Sequence, residues 1–314
     1  MEFLMNLLTF LKNSFRIKLV PMDQRWRSLV RKIAERVLPK EEKERFLLLQ
    51  SQLKDEGFGY DIFGFEAESA LAYYLFFNLL YKYWFRVKSE GHKNIPPRGR
   101  GMLVINHSGM LPLDFIMIAI DVMKHANPPR IVRGIVDHFA GGLPYINLFI
   151  YRGGSVIGSR ENMEELLKAD QLIGVFPEGT KGIGKPFSQR YKLVRFNVGF
   201  VELAIKYKAP IVPVAVIGAE EQYIQIGKIK WLGRLFGFPY IPVTPAFPWL
   251  GVLGLIPLPS RYYIYYGEPI KLYKKYSSAE AEDPELIRRL ADQIQDIVQE
   301  MINKGLKKRK SIFF

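Results

Sequence analysis

A three-layer α/β fold around one mostly parallel, partly mixed sheet is what the sequence predicts, and three observations predict it. Short apolar runs recur from residue 101 onward, segments of helical periodicity separate them, and polar loops containing glycine close two of the runs. Strand and helix in alternation is the pattern of parallel strands joined by crossover helices. The apolar runs predict strands at 101–105, 130–136, 154–158, 171–176, 211–217 and 261–267. Between and after them, helices are expected over 112–124, 160–169, 197–207 and 283–304. The last carries Leu286, Leu290, Ile294, Ile297 and Met301 on one face, the stripe of an amphipathic C-terminal helix.

The first part of the chain reads as a helical extension. Phe3, Leu4, Leu7, Leu8, Leu11 and Phe15 share one helical stripe, while the leading charge is Glu2 and no small-residue cleavage site follows, which argues against a signal peptide. Charged helical patterning runs from Arg25 to Lys54, and Gly57, Gly59 and Gly64 break it. Ser69 to Tyr81 is uncharged but shorter than the roughly 20 residues that span a bilayer, so it reads as a helix packed on a core or lying at an interface. The expected organisation is a helical, membrane-associating region over 1–84, a catalytic domain over 85–275, and a helix with a basic tail over 276–314.

Residues 235 to 260 carry no charge, yet six are proline and three are glycine. A straight transmembrane helix is excluded by the prolines. Two readings stand: a buried loop covering one end of the sheet, or a segment whose Phe236, Phe238, Trp249, Leu250 and Leu253 line an acyl groove or dip into lipid.

Composition narrows the chemistry. The chain has 314 residues, 48% of them hydrophobic, enough for a full core. It has no cysteine, which removes disulfides, thiolate metal sites and a cysteine nucleophile and fits a reducing compartment. Its four histidines, His92, His107, His125 and His138, show no metal-ligand spacing, so no metal is expected. The net charge of +14 calls for an anionic partner. Residues 1 to 40 hold nine Lys or Arg against three acids, and Lys304 to Lys310 hold five against none, both beside large apolar side chains. Cations next to aromatic and aliphatic stripes favour a lipid surface over nucleic acid.

The most informative stretch is Asn106-His107-Ser108-Gly109-Met110-Leu111-Pro112-Leu113-Asp114. It places an imidazole in the loop after a buried strand and a carboxylate in the first turn of the next helix. Phe176-Pro177-Glu178-Gly179-Thr180-Lys181 closes a second apolar strand with a carboxylate, a glycine and a cation. Two polar loops at strand ends of one sheet suggest an active site.

These two runs resemble the first and third motifs of the glycerolipid acyltransferase superfamily, whose members include lysophosphatidic acid acyltransferases. Phe149 to Arg152 resemble the second motif and Ile211 to Val214 the fourth, so the resemblance covers roughly residues 85 to 275. It implies an acyltransferase α/β domain that moves a fatty acyl chain from acyl-CoA or acyl carrier protein to a glycerolipid hydroxyl, with no other cofactor. In the phosphatidic-acid-forming branch four residues separate His and Asp; six separate His107 from Asp114, as in bacterial relatives and the branch that acylates mono- and diacylglycerol. Lysophosphatidic acid leads as acceptor, in phospholipid biosynthesis, and a neutral or glycosylated lipid is the alternative.

His107 is then the general base, with Asp114 holding its tautomer and stabilising the imidazolium. Contact needs the loop Ser108 to Leu111 to fold back, which Gly109 permits. Glu178 and Gly179 belong to the acceptor-binding motif, Glu178 accepting acceptor hydroxyls. Thr180 and Lys181 are expected to help bind phosphate, and Arg152 is the better bidentate phosphate ligand. Read blandly, His107 bonds a backbone carbonyl, Asp114 caps its helix, Glu178 sits on a surface turn and Arg152 is solvated.

Two rival motifs fail. Gly179 to Lys185 copies most of a phosphate-binding P-loop, but Pro186 stands where Ser or Thr must hold magnesium. Around Ser155 the hydrolase elbow lacks its last glycine, since residue 157 is Ile. A basic binding protein without catalysis explains the charge but not His107 and Glu178. The expected place is peripheral or monotopic on the cytoplasmic membrane face, against anionic lipid and with no nucleic acid.

Overall fold

The computed structural model describes residues 24–53, 57–109, 111–142, 146–235 and 238–313. The stripe from Phe3 to Phe15, Phe236 and Phe314 lie outside the described residues. The helices are α1 Gln24–Val37, α2 Lys40–Ser51, α3 Ala67–Leu79, α4 Leu113–His125, α5 His138–Gly141, α6 Ile146–Arg152, α7 Arg160–Lys168, α8 Thr180–Ile183, α9 Gly199–Lys206, α10 Lys230–Leu235 and α11 Pro284–Lys308. The strands are β1 Lys88–Glu90, β2 Gly101–Ile105, β3 Val132–Val136, β4 Val156–Ile157, β5 Leu172–Val175, β6 Ile211–Ile217, β7 Gly227–Ile229, β8 Ile241–Val243 and β9 Tyr263–Tyr266.

Seven strands form one sheet in the order β1-β9-β6-β2-β5-β3-β4, and β7 pairs with β8 apart from it. Every pairing in the main sheet is parallel except β6 with β9. The sheet is thus the mostly parallel, mixed one that the alternation of strand and helix predicts. Its central strand β2 is buried along its whole length because helices cover both faces. The two-residue period of a strand sorts its side chains. Met102 and Val104 join a core with α7, α9 and α11, while Leu103 and Ile105 join a second with α1, α2, α3 and α4. Each such fully buried aliphatic side chain contributes about 1.5–3 kcal/mol.

Each of the six predicted strands and four predicted helices is present, with ends shifted by at most two residues except for α11, which runs four further. The uncharged segment from Ser69 forms α3 and continues as a π-helical turn over Leu80–Trp84. It buries Tyr74 and Tyr81 and exposes Phe76, Leu79 and Tyr83, so one side packs while the other is open. Among the described residues, no helix is long and apolar enough to cross a membrane. Strands β1, β7 and β8 and helices α5 and α6 had no signal. Lys88–Glu90, for instance, has no apolar alternation and is a strand only because β9 pairs with it.

One of the two readings of residues 235 to 260 is corrected here. Residues 235 to 260 do not form a buried cover: Trp249, Leu250, Val252, Leu253 and Ile256 are exposed around a 3-10 turn at Gly251–Leu255, and Phe238 packs near Phe139. The basic tail packs back on the domain. Lys304 pairs with Glu300, Lys308 with Glu90 and Arg309 with buried Glu221, and the carbonyls of Ile312 and Phe313 accept from the Arg261 amide and from Arg86.

Parallel strands put their C-terminal ends on one edge. His107 follows β2, Asp137 follows β3, Phe176 follows β5 and Gly218 follows β6 on that edge. Because β9 runs antiparallel to β6, residues 218–262 leave and return at the same edge.

Candidate active site

The loop after β2 is fixed on three sides. Asn106 is fully buried, and its amide bonds both backbone groups of Val216, donating to the carbonyl at 3.0 Å and accepting from N–H at 2.7 Å. This side chain extends the β2–β6 ladder by one step and sets where the chain leaves the sheet. Gly109 then turns the chain at φ +88°, and a Cβ there would stand 2.2 Å from Gln222 Nε2. The conformation favours glycine, and any Cβ would displace the end of the Gln222 side chain.

The reversal brings Asp114, in the first turn of α4, back under the imidazole. His107 Nδ1 lies 2.7 Å from Asp114 Oδ2, which also accepts the Ser108 amide at 3.0 Å. Asp114 Oδ1 accepts the Phe115 amide at 2.8 Å. The Asp114 side chain is wholly buried and that of His107 is 16% exposed. With Nδ1–H given to the carboxylate, Nε2 carries the lone pair and is the basic atom. The Phe176 ring packs 4.2 Å from the imidazole, centroid to centroid, and holds its plane.

Glu178 is placed behind His107. Its carboxylate accepts the His107 amide at 2.9 Å on Oε1, and on Oε2 the Val194 amide at 2.7 Å and Lys185 Nζ at 3.2 Å. Its side chain is wholly buried, so it is neither a surface turn carboxylate nor open to an acceptor hydroxyl. Gly182 makes this approach possible: a Cβ there would meet Glu178 Cβ at 2.7 Å and His107 Cβ at 3.2 Å. Gly179 precedes α8, with Thr180 half-buried and Lys181 exposed in its first turn.

Arg152 ends α6, with Nε 3.5 Å from Oε2 of buried Glu66, which also pairs with Arg27. It is therefore not a solvated surface arginine.

Sequence reasoning missed Lys185 and Glu220. Both are buried, and Lys185 Nζ lies 3.2 Å from Glu220 Oε1. Burial pushes Glu220 up to about 7, against the pull of Lys185 and the Tyr191 amide. The available signal was Glu220-Glu221-Gln222 directly after an apolar strand, three polar residues where the chain is still inside.

Among the described residues one set of metal-competent groups converges, His92, Asp121 and His125, which the histidine spacing did not announce. Tyr81, Ser89 and Tyr266 hydroxyls donate to Asp121 at 2.6, 2.5 and 2.8 Å, and His92 Nε2 stands 3.3 Å away. These donors already bond the carboxylate, and the two imidazoles stack at 4.5 Å and 24°.

What the His107 loop can do chemically is take a proton from a hydroxyl at Nε2 while a buried carboxylate stabilises the imidazolium. Comparison with known proteins agrees with that chemistry. The Acyltransferase family profile matches residues 86–217, which hold His107, Asp114 and Glu178. An uncharacterized protein of Mycobacterium tuberculosis is 40% identical over 257 residues, covering 81% of this chain and 71% of its own. The human DGAT1/2-independent enzyme synthesizing storage lipids is 25% identical over 226 residues, 70% of this chain and 62% of its own. The crystal structure of the 1-acyl-sn-glycerophosphate (LPA) acyltransferase PlsC from Thermotoga maritima shares the fold, with a TM-score of 0.51 at 20% identity, over 91% of this chain and 96% of that one. The chain belongs to the glycerolipid acyltransferase superfamily.

Proposed function

We propose that this acyltransferase moves a fatty acyl chain from acyl-CoA or acyl carrier protein to a glycerolipid hydroxyl, at the surface of an anionic membrane on its cytoplasmic face. The observation that carries this reading is the 2.7 Å pairing of His107 Nδ1 with buried Asp114. His107 Nε2 takes the hydroxyl proton as the oxygen attacks the thioester carbonyl. The tetrahedral adduct then expels the thiolate, which recovers that proton from the imidazolium, so no external acid is consumed.

Lysophosphatidic acid is the acceptor that Thr180, Lys181 and Arg152 would serve, through phosphate, with phosphatidic acid as product. A neutral glycerolipid is the second reading, and two observations favour it: Arg152 already faces a buried carboxylate, and a relative named for storage-lipid synthesis aligns over 70% of this chain. Acyl transfer to lysophosphatidic acid, monoacylglycerol and diacylglycerol, with each donor in turn, decides between them. Under the first reading Arg152→Ala raises KM for the phosphorylated acceptor alone. Equal effects on all acceptors would give Arg152 a structural role through Glu66.

A further inference from the structure

The run from Gly179 to Lys185 copies part of a phosphate loop, yet its lysine points into the protein. Lys185 is 9% exposed. Its Nζ lies 3.2 Å from Glu178 Oε2, 3.2 Å from Glu220 Oε1 and 3.2 Å from the Lys192 carbonyl oxygen. An ammonium has three donors, and all three are spent on protein. No donor remains for a phosphate.

Each carboxylate passes the connection on. Glu178 accepts the amides of His107 and Val194, and Glu220 Oε2 accepts the Tyr191 amide at 2.9 Å. The loops after β2, β5 and β6 and the 185–194 segment are thereby tied at one buried cation. A lone ammonium or carboxylate is costly to bury, so the arrangement holds only with its members together. Without Lys185, Glu178 and Glu220 would meet as buried like charges, and one would bind a proton or turn away.

We propose that Lys185, held by Glu220, is a positioning residue for the general base: it keeps the Glu178 carboxylate aimed at the His107 amide, and so keeps the imidazole seated on Asp114. This rests on the reading of His107 as the base of acyl transfer. Lys185 touches no substrate. It acts through Glu178.

The test is a double-mutant cycle of K185M and E178Q in the full chain, with kcat and KM measured on a phosphorylated and a neutral acceptor. K185M is expected to lower kcat on both by about 10²-fold, the scale of a misplaced catalytic group, with KM nearly unchanged. K185M/E178Q is expected to be no slower than E178Q, because both changes break one connection. Losses that multiply would overturn the proposal, as would a KM rise confined to the phosphorylated acceptor, which would make Lys185 an anion ligand. Hydrogen exchange gives a readout independent of turnover: the His107 amide should exchange faster in K185M than in wild type, and unchanged exchange overturns the clamp. If the wild type acylates no acceptor, the proposed function falls while exchange still decides the clamp. Should K185M fail to fold, E220Q, which weakens the hold on Lys185, enters the same cycle.

Discussion

His107 Nδ1 and Asp114 Oδ2 stand 2.7 Å apart although seven residues separate them. On a continuous helix a rise of 1.5 Å per residue would part them by about 10 Å. The contact exists because Gly109 reverses the chain at positive φ before α4 begins, so the carboxylate of the first helical turn returns beneath the ring. The same Oδ2 accepts the Ser108 amide, so one oxygen fixes both the imidazole and the loop that carries it.

His107→Ala removes the base and its contact with the Phe176 ring, while Asp114 keeps the Ser108 and Phe115 amides. The expected loss in kcat is about 10² to 10⁴-fold, the usual contribution of a positioned base, with the thermal midpoint close to wild type. Activity near wild type in the folded variant sinks the mechanism.

Asp114→Asn keeps the shape and removes the charge. An amide oxygen can still accept the Ser108 N–H, but the imidazolium loses its counter-ion and the ring its tautomer control. Turnover should fall below wild type and stay above that of His107→Ala. Full activity would reduce Asp114 to a loop and helix cap.

The apolar runs were legible because a strand buried on both faces needs an unbroken one, as β2, β5 and β6 have. The His107–Asp114 pair was legible too, since strand end, glycine, proline and carboxylate fall in the order a reversing loop needs. Glu178 was legible as a site residue but not in its direction: a carboxylate in a glycine turn reads as open, and only the approach of Gly182 and the 185–194 segment encloses it. Lys185 and Glu220 were hidden because they are 35 residues apart and meet only in three dimensions. The tail's partners were hidden for the same reason, since Glu90 and Glu221 lie far from it in sequence.

Glu220 makes stability depend on pH. Burial raises its pKa from 4.5 to about 7, so the folded state holds a proton that the unfolded chain has released. The stability this group contributes is fully present below about 4.5 and is lost as pH rises through about 7. Urea midpoints from about pH 5 to about pH 8 should therefore fall more for wild type than for Glu220→Gln, which cannot titrate. Parallel curves would mean that Lys185 keeps Glu220 ionised throughout.

Exposed apolar side chains mark the face that we propose meets lipid. Val252, Trp249 and Leu253 are 81%, 72% and 68% exposed, on the excursion from Gly218 to Tyr262 that leaves and rejoins the sheet at the His107 edge. Lys228, Lys230 and Arg234 are exposed on the same excursion, and residues 222 to 267 include no acid. Exposed apolar side chains beside unopposed cations suit an anionic bilayer, each cation near the surface being worth about 1 kcal/mol. Salt screens that attraction and leaves apolar insertion in place. A second candidate is α1, where Trp26, Leu29, Ile33 and Val37 are exposed beside cations. Co-sedimentation with phosphatidylglycerol vesicles at low and high salt should therefore separate two variants. Leu250→Asp/Leu253→Asp is expected to lose the salt-resistant part of binding and keep turnover of a short-chain, water-soluble acceptor. Deleting residues 1 to 40 is expected to lose mainly the salt-sensitive part. Salt-resistant binding that survives the double substitution would move the docking face to the N-terminal helices. A change in sedimentation coefficient without vesicles would make the patch a contact between copies of the chain.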